Sequence, residues 1–235
     1  MLFKQKKSKE QELAKIVVGK EASRRTIEGY NRLKDNVLYM SADGKNKVIQ
    51  IESAKASEGK TTICCNLAVS LGLTKKKVVV VDLDFYRPTA HVVFGQERAN
   101  GVSDYILGSI TKKELIKHTE YENVDLITGG ENVYNSSLIL VSDAFKELIK
   151  SLREEYDYVL LDCAPVLAVS DYIHISEVSD GVLFVVAYAS TTKGSVADAV
   201  KELKRNGVNI LGSVFSKYQR KKEGGYYDYY YKSQQ

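Results

Sequence analysis

The chain has few of the residues on which several function classes depend. Its 235 residues include only three cysteines and three histidines. Two of the cysteines, Cys64 and Cys65, are adjacent, and none has metal-ligand spacing. That excludes a disulfide framework and a zinc site, and the thiols read as small buried hydrophobes. No apolar run approaches the length of a membrane span. The opening Met1-Leu-Phe-Lys-Gln-Lys-Lys-Ser-Lys lacks the apolar centre of a secretion signal. A cytoplasmic protein is the expectation.

Charge of one sign is also scarce, with a net +4. What excess there is sits at the ends: residues 1–20 hold six lysines against two acids, and residues 217–235 hold five basic residues against two acids. The body between them is slightly acidic, at −3. A duplex-binding domain concentrates basic residues on one folded face, so nucleic acid is not expected as a partner. Basic ends suit an anionic inner membrane surface or an acidic partner segment, or are simply solvated.

What is present is an alternation of strands and helices. Arg24–Met40 reads as an amphipathic helix. Strands are expected at Val48–Glu52, Val78–Asp82, Val124–Thr128, Tyr158–Asp162, Gly181–Ala187 and Ile210–Phe215. Helices are expected at Ile63–Leu73, Ser136–Glu155, Asp171–Val178 and Gly194–Asn206, with shorter ones between Thr89 and His118. Val78-Val-Val-Val-Asp and Tyr158-Val-Leu-Leu-Asp are apolar at successive positions rather than alternate ones, which marks strands buried on both faces of a parallel sheet. The expected fold is α/β, a three-layer, doubly wound and mainly parallel sheet. Residues 21–216 would form it, between a basic segment at 1–20 and a flexible tail at 217–235.

Residues 53–62, Ser-Ala-Lys-Ala-Ser-Glu-Gly-Lys-Thr-Thr, join a strand to a helix with the spacing G-x-x-x-x-G-K-[ST]. Such a turn aims backbone N–H groups and the positive end of the helix dipole at a polyphosphate. Ala54, Lys55, Ala56, Ser57, Glu58, Gly59, Lys60, Thr61 and Thr62 are therefore the expected nucleotide-binding stretch, Lys60 reaching the β- and γ-phosphates and Thr61 a Mg²⁺ ion. Ala54 stands where the pattern has glycine, a strained position if it demands positive φ. The cofactors implied are a nucleoside triphosphate and Mg²⁺. Asp162 ends one strand, where a carboxylate holds the metal directly or through water. Asp82 and Asp84 end another, at alternate positions that point the same way; one could bind metal while the other accepts a proton.

The tail, from Lys217 on, has no aliphatic residue and cannot build a core. Yet it holds Tyr226, Tyr227, Tyr229, Tyr230 and Tyr231, either an aromatic docking patch or a cluster of phosphate acceptors.

These features together resemble the bacterial tyrosine kinases of the CpsD/CapB type, P-loop kinases of the MinD/ParA-like (SIMIBI) class. The resemblance runs from about Glu28 to the tail. It is carried by the phosphate loop with Asn66-Leu-Ala, by Val80-Val-Asp-Leu-Asp-Phe-Tyr-Arg-Pro, by Tyr156-Asp-Tyr-Val-Leu-Leu-Asp-Cys-Ala-Pro-Val, by Ser170-Asp, by Ser179-Asp-Gly-Val and by the tyrosine cluster. It implies an ATP- and Mg²⁺-dependent kinase in which Lys60 and Thr61 bind phosphate and metal, Asp82 activates the tyrosine hydroxyl, and Asp84 and Asp162 organise the metal. By the same resemblance the five tail tyrosines are phosphorylated in trans within a ring of subunits. The implied partners are a membrane-anchored activator of the polysaccharide co-polymerase type and a cognate tyrosine phosphatase. The implied place is the inner face of the cell membrane, reached through the activator, and the implied role is in capsule and exopolysaccharide synthesis and export. Departures from the family pattern are Glu28, Asn31 and Lys34 for E-x-x-R-x-x-R, Tyr86 for an arginine, Asn135-Ser-Ser-Leu-Ile-Leu for N-P-x-E-L-L, and Ser216 for an asparagine. They allow a low-activity or pseudokinase member. Lys55 resembles the signature lysine of MinD/ParA-type ATPases and raises a dimeric, ATP-switched positioning factor as the alternative.

Overall fold

A computed structural model describes residues 14–18, 23–131 and 135–218. The tail tyrosines and most of the basic N-terminal segment lie outside the described residues. In chain order the elements are α1 (Arg24–Met40), β1 (Val48–Ser53), α2 (Lys60–Gly72), β2 (Val78–Asp82), α3 (Ala90–Val93), α4 (Val102–Ile106), α5 (Lys112–Leu115) and β3 (Lys117–His118). There follow β4 (Val124–Ile127), α6 (Ser136–Leu140), α7 (Asp143–Glu155), β5 (Tyr158–Asp162), α8 (Asp171–Ser176), β6 (Gly181–Ala187), α9 (Lys193–Arg205) and β7 (Ile210–Ser216).

The strands form one seven-stranded sheet in the order β3-β4-β2-β5-β1-β6-β7, parallel except for β3 at its edge. Successive strand residues supply opposite cores. Ile49, Ile51, Val78, Val80 and Leu160 pack with α1, α2 and α3 on one face. Val48, Val79, Val81, Val159 and Leu161 pack with α7 on the other, and Val182 and Phe184 extend that second face toward α8 and α9. This double burial is why the strands carry no polar alternation.

Helix α2 is covered on nearly every side, so it too has no polar stripe. Its one amide, Asn66, accepts from the N–H groups of Val17 (2.6 Å) and Val18 (3.1 Å) and donates to the carbonyl of Lys15 (2.8 Å). A buried amide so fully paired staples residues 15–18 against the helix.

Two expectations need correction. The stretch Ser136–Glu155 is two helices, because Ser142 stops the first and caps the second by accepting from Phe145 N–H (3.2 Å). The helical reading up to His118 fails at its end, where Lys117 and His118 pair with Leu126 and Asp125 as an antiparallel edge. Two residues carry no periodic signal, and their state is set by the neighbouring strand.

Candidate active site

The C-terminal ends of β1, β2 and β5 lie side by side, β5 between the other two. In that arrangement Asp82 and Asp162 are register partners, and the loop from β1 into α2 rises beside them. Residues that end parallel strands share one rim of the sheet, where α/β proteins bind ligands.

The loop is built on two left-handed residues, Ser57 (φ 62°) and Gly59 (φ 92°). Ala54 is not among the positive-φ residues; it is buried with Val166, Tyr172 and Phe184, so the condition under which alanine would be strained there is not met. Gly59 begins α2 without a side-chain cap, which leaves the first-turn N–H groups directed at the loop. A successive left-handed turn followed by a helix start makes an anion-binding concavity. Glu58 is inside the loop rather than in solvent, 5 % exposed. Its Oε1 accepts from Thr191 Oγ1 (2.6 Å) and its Oε2 from Lys55 N–H (3.2 Å). The Lys55, Ala56 and Ser57 positions are exposed, while Lys60 is buried and Thr61 and Thr62 are partly so.

The carboxylates differ in how they are held. Asp82 is fully buried, and its oxygens accept from the N–H groups of Asp84 (3.2 Å) and Ala90 (3.1 Å). Burial first, and then the neighbouring Asp162, push its pKa well up. Asp84 lies two residues past the end of β2, so it is the turn and not strand alternation that aims it; it accepts from Arg87 N–H (2.9 Å). Asp162 is also fully buried, but neither of its oxygens has a hydrogen-bond partner. Burial raises its pKa to about 6, against the opposing effects of the Lys60 ammonium and the Thr61 hydroxyl. Thr61 Oγ1 accepts from Thr89 Oγ1 at 3.1 Å, which leaves it a lone pair for a metal ion.

A buried carboxylate with two bare oxygens beside a lysine and a threonine hydroxyl fits a hydrated Mg²⁺ ion. Among the described residues no group of three or more His, Cys, Asp or Glu side chains is arranged to hold a metal alone. That matches magnesium's habit of taking one or two carboxylates and completing its shell with water and phosphate.

Sequence reasoning missed several members of this rim. Asp171 is buried with one bare oxygen and has Asp84 for an electrostatic neighbour. Tyr86 Oη and Ser136 Oγ are 3.0 Å apart, and the Ser136 hydroxyl also lies against Asp171. Glu52 is buried on the far face of β1, takes a hydrogen bond from Gln50 Nε2 (2.9 Å) and is pushed up to about 8 by burial. Ser170-Asp and Tyr86 were visible as parts of motifs; Glu52 and Ser136 join them only through the sheet order.

A parallel sheet with this loop and these acidic strand ends defines a P-loop nucleotide-binding domain of the MinD-like kind. The family described as AAA domain matches residues 46–210. MinD from Pyrococcus horikoshii, solved with Mg-ADP, superposes with a TM-score of 0.62 at 27% identity, covering 75% of this chain and 72% of that one. The chimerical protein CapA2B2 superposes more closely, with a TM-score of 0.79 at 30% identity over 82% of this chain and 85% of that one. The tyrosine-protein kinase YwqD of Bacillus subtilis is 31% identical over 202 residues, 85% of each chain. Wzc of Salmonella typhimurium, also a tyrosine-protein kinase, is 31% identical over 211 residues, 88% of this chain but 29% of its own length. The chain thus spans about three tenths of Wzc and most of YwqD. It belongs to the bacterial tyrosine-kinase family of P-loop proteins. These relatives favour the kinase over the ATP-driven positioning switch that Lys55 suggested.

Proposed function

We propose that this protein is an ATP-dependent protein-tyrosine kinase that phosphorylates Tyr226, Tyr227, Tyr229, Tyr230 and Tyr231 of its own C-terminal segment. The observation that carries the reading is Asp162, whose two bare, buried oxygens face Lys60 and Thr61 at the mouth of the phosphate loop. Residues 54–62 bind the triphosphate, with Lys60 on its β- and γ-phosphates. Thr61, Asp84 and Asp162 hold magnesium, directly or through water. Magnesium ATP supplies the phosphoryl group and the positive charge that offsets charge building on its oxygens.

Asp82 receives the proton of the acceptor tyrosine. Each of its oxygens holds one backbone N–H and keeps a second lone pair that can take the proton. As that proton leaves, the phenolic oxygen bonds to the γ-phosphorus, the bond to the bridging oxygen breaks, and ADP departs.

The likeness to Wzc and YwqD supports a role in capsule or exopolysaccharide synthesis and export. With it come a membrane-anchored activator of the co-polymerase type, self-association in a ring, a cognate phosphatase, and a place at the inner face of the cell membrane through the activator. No helix among the described residues is long and apolar enough to cross a membrane, so attachment through a partner is in keeping.

Incubation with Mg-ATP and detection of phosphotyrosine tests the reading. Lys60→Met is expected to abolish the signal while circular dichroism is unchanged. Labelling that survives in Lys60→Met would mean that the loop is not the phosphate site.

A further inference from the structure

The phosphate loop is held from outside by the point at which the chain leaves the sheet. Ser216, the last residue of β7, is buried, and its hydroxyl donates to the carbonyl of Glu58. Lys217 follows in left-handed backbone (φ 54°), which a non-glycine residue adopts only where its surroundings impose it. Its ammonium donates to the carbonyl of Ser57 at 2.9 Å. Ser216 also closes the space beside Gly59, where an added Cβ would lie 3.2 Å from the serine's own Cβ. The Ser216 carbonyl in turn accepts from Tyr188 N–H (2.9 Å), and the Tyr188 ring meets Tyr218 edge-on at 4.7 Å.

Peptide planarity gives these contacts a consequence for phosphate. In a trans peptide the C=O and the following N–H point in opposite directions. Lys217 draws the Ser57 carbonyl toward itself, so the N–H of Glu58 faces away from it; Ser216 does the same for the N–H of Gly59. Both N–H groups belong to the part of the loop that cradles phosphate.

We propose that Ser216 and Lys217 are positioning residues of the nucleotide site, holding the carbonyls of Ser57 and Glu58 outward so that the next N–H groups face the phosphates. This rests on the reading of residues 53–62 as a nucleotide site, though not on kinase activity. Coupling of this kind is reciprocal: freeing Lys217 from Ser57 weakens nucleotide binding, and bound nucleotide holds Lys217 in place.

The test is titration of the full chain with Mg-ADP, comparing wild type with Lys217→Gln, Lys217→Arg and Ser216→Ala, and with Lys201→Gln on the exposed side of α9 as a control. Lys217→Gln and Ser216→Ala are each expected to weaken binding roughly fivefold, the net size of one hydrogen bond. Lys217→Arg should keep most of the affinity and Lys201→Gln all of it, and the unfolding midpoint of nucleotide-free Lys217→Gln, altered only at an exposed side chain, should stay put. Wild-type affinity in both Lys217→Gln and Ser216→Ala would overturn the inference, as would a loss of affinity in Lys217→Gln that tracks a lowered unfolding midpoint. Failure of the wild type itself to bind Mg-ADP would instead overturn the nucleotide-site reading, and this inference with it.

Discussion

Asp162→Asn should make the nucleotide-free protein more stable while disabling its site. The carboxyl is wholly buried, with a pKa raised from 3.8 to about 6 chiefly by loss of water and only partly offset by Lys60. Below pH 3.8 the group is protonated whether the chain is folded or not and has no effect on stability. Between 3.8 and about 6 the unfolded chain ionises while the buried group keeps its proton, so stability falls across that range, and above about 6 the native state carries the buried charge and the loss is complete. The gap of a little over two pH units corresponds to ~3 kcal/mol. Asparagine resembles the protonated form, so at pH 8 the variant should gain up to that amount, or about 6–12 °C in unfolding midpoint for a domain of this size. The gain should shrink toward zero near pH 4. Urea denaturation at both pH values, without nucleotide, measures it. Added Mg-ADP should then stabilise wild type more than the variant, because only wild type offers the carboxylate to the ion. A variant less stable than wild type at pH 8, or one whose gain does not change with pH, would mean that the Asp162 carboxylate is not a buried, destabilising charge.

Other expectations concern the frame of the site. Gly101→Ala should cost roughly 3 kcal/mol in chemical denaturation, because the new methyl carbon would sit 2.1 Å from the backbone nitrogen of Gly130, and backbone cannot move aside as a side chain can. Arg153→Ala should cost about 1–2 kcal/mol, since its guanidinium binds both oxygens of Asp180, at 3.0 and 2.6 Å, and Asp180 also receives Val48 N–H at the base of β1. Lysine at the same position should recover less than half of that loss, because it cannot bond both oxygens at once. An Arg153→Ala variant with an unchanged denaturation midpoint would remove this pair from the account.

Much of the fold could be read before the structure because the core strands are buried on both faces and therefore apolar at every position. Val78–Asp82 and Tyr158–Asp162 have the limits that the sequence suggests. The phosphate loop was legible for another reason: it is local, a strand, a turn and a helix in one continuous stretch. The two misread places are those where local pattern is weak. Ser142 interrupts an apolar helical run by one hydroxyl, and Lys117–His118 become a strand only because β4 runs beside them. In the site, Asp171 and Ser216 were visible only as parts of motifs and Glu52 only as a strand end, because what each of them touches is set by the order of the strands and not by its neighbours in sequence. Ser216 is 158 residues from Glu58, whose carbonyl it binds, and no window of sequence links the two.

The central claim is that a tyrosine accepts phosphate through Asp82. Intact-mass and peptide mass spectrometry after incubation with Mg-ATP tests it most directly, with Asp82→Ala alongside and an activator peptide added in a parallel sample. The expected result is phosphate on residues within Tyr226–Tyr231 that disappears in Asp82→Ala. Hydrolysis of ATP with no phosphotyrosine in any sample would contradict it.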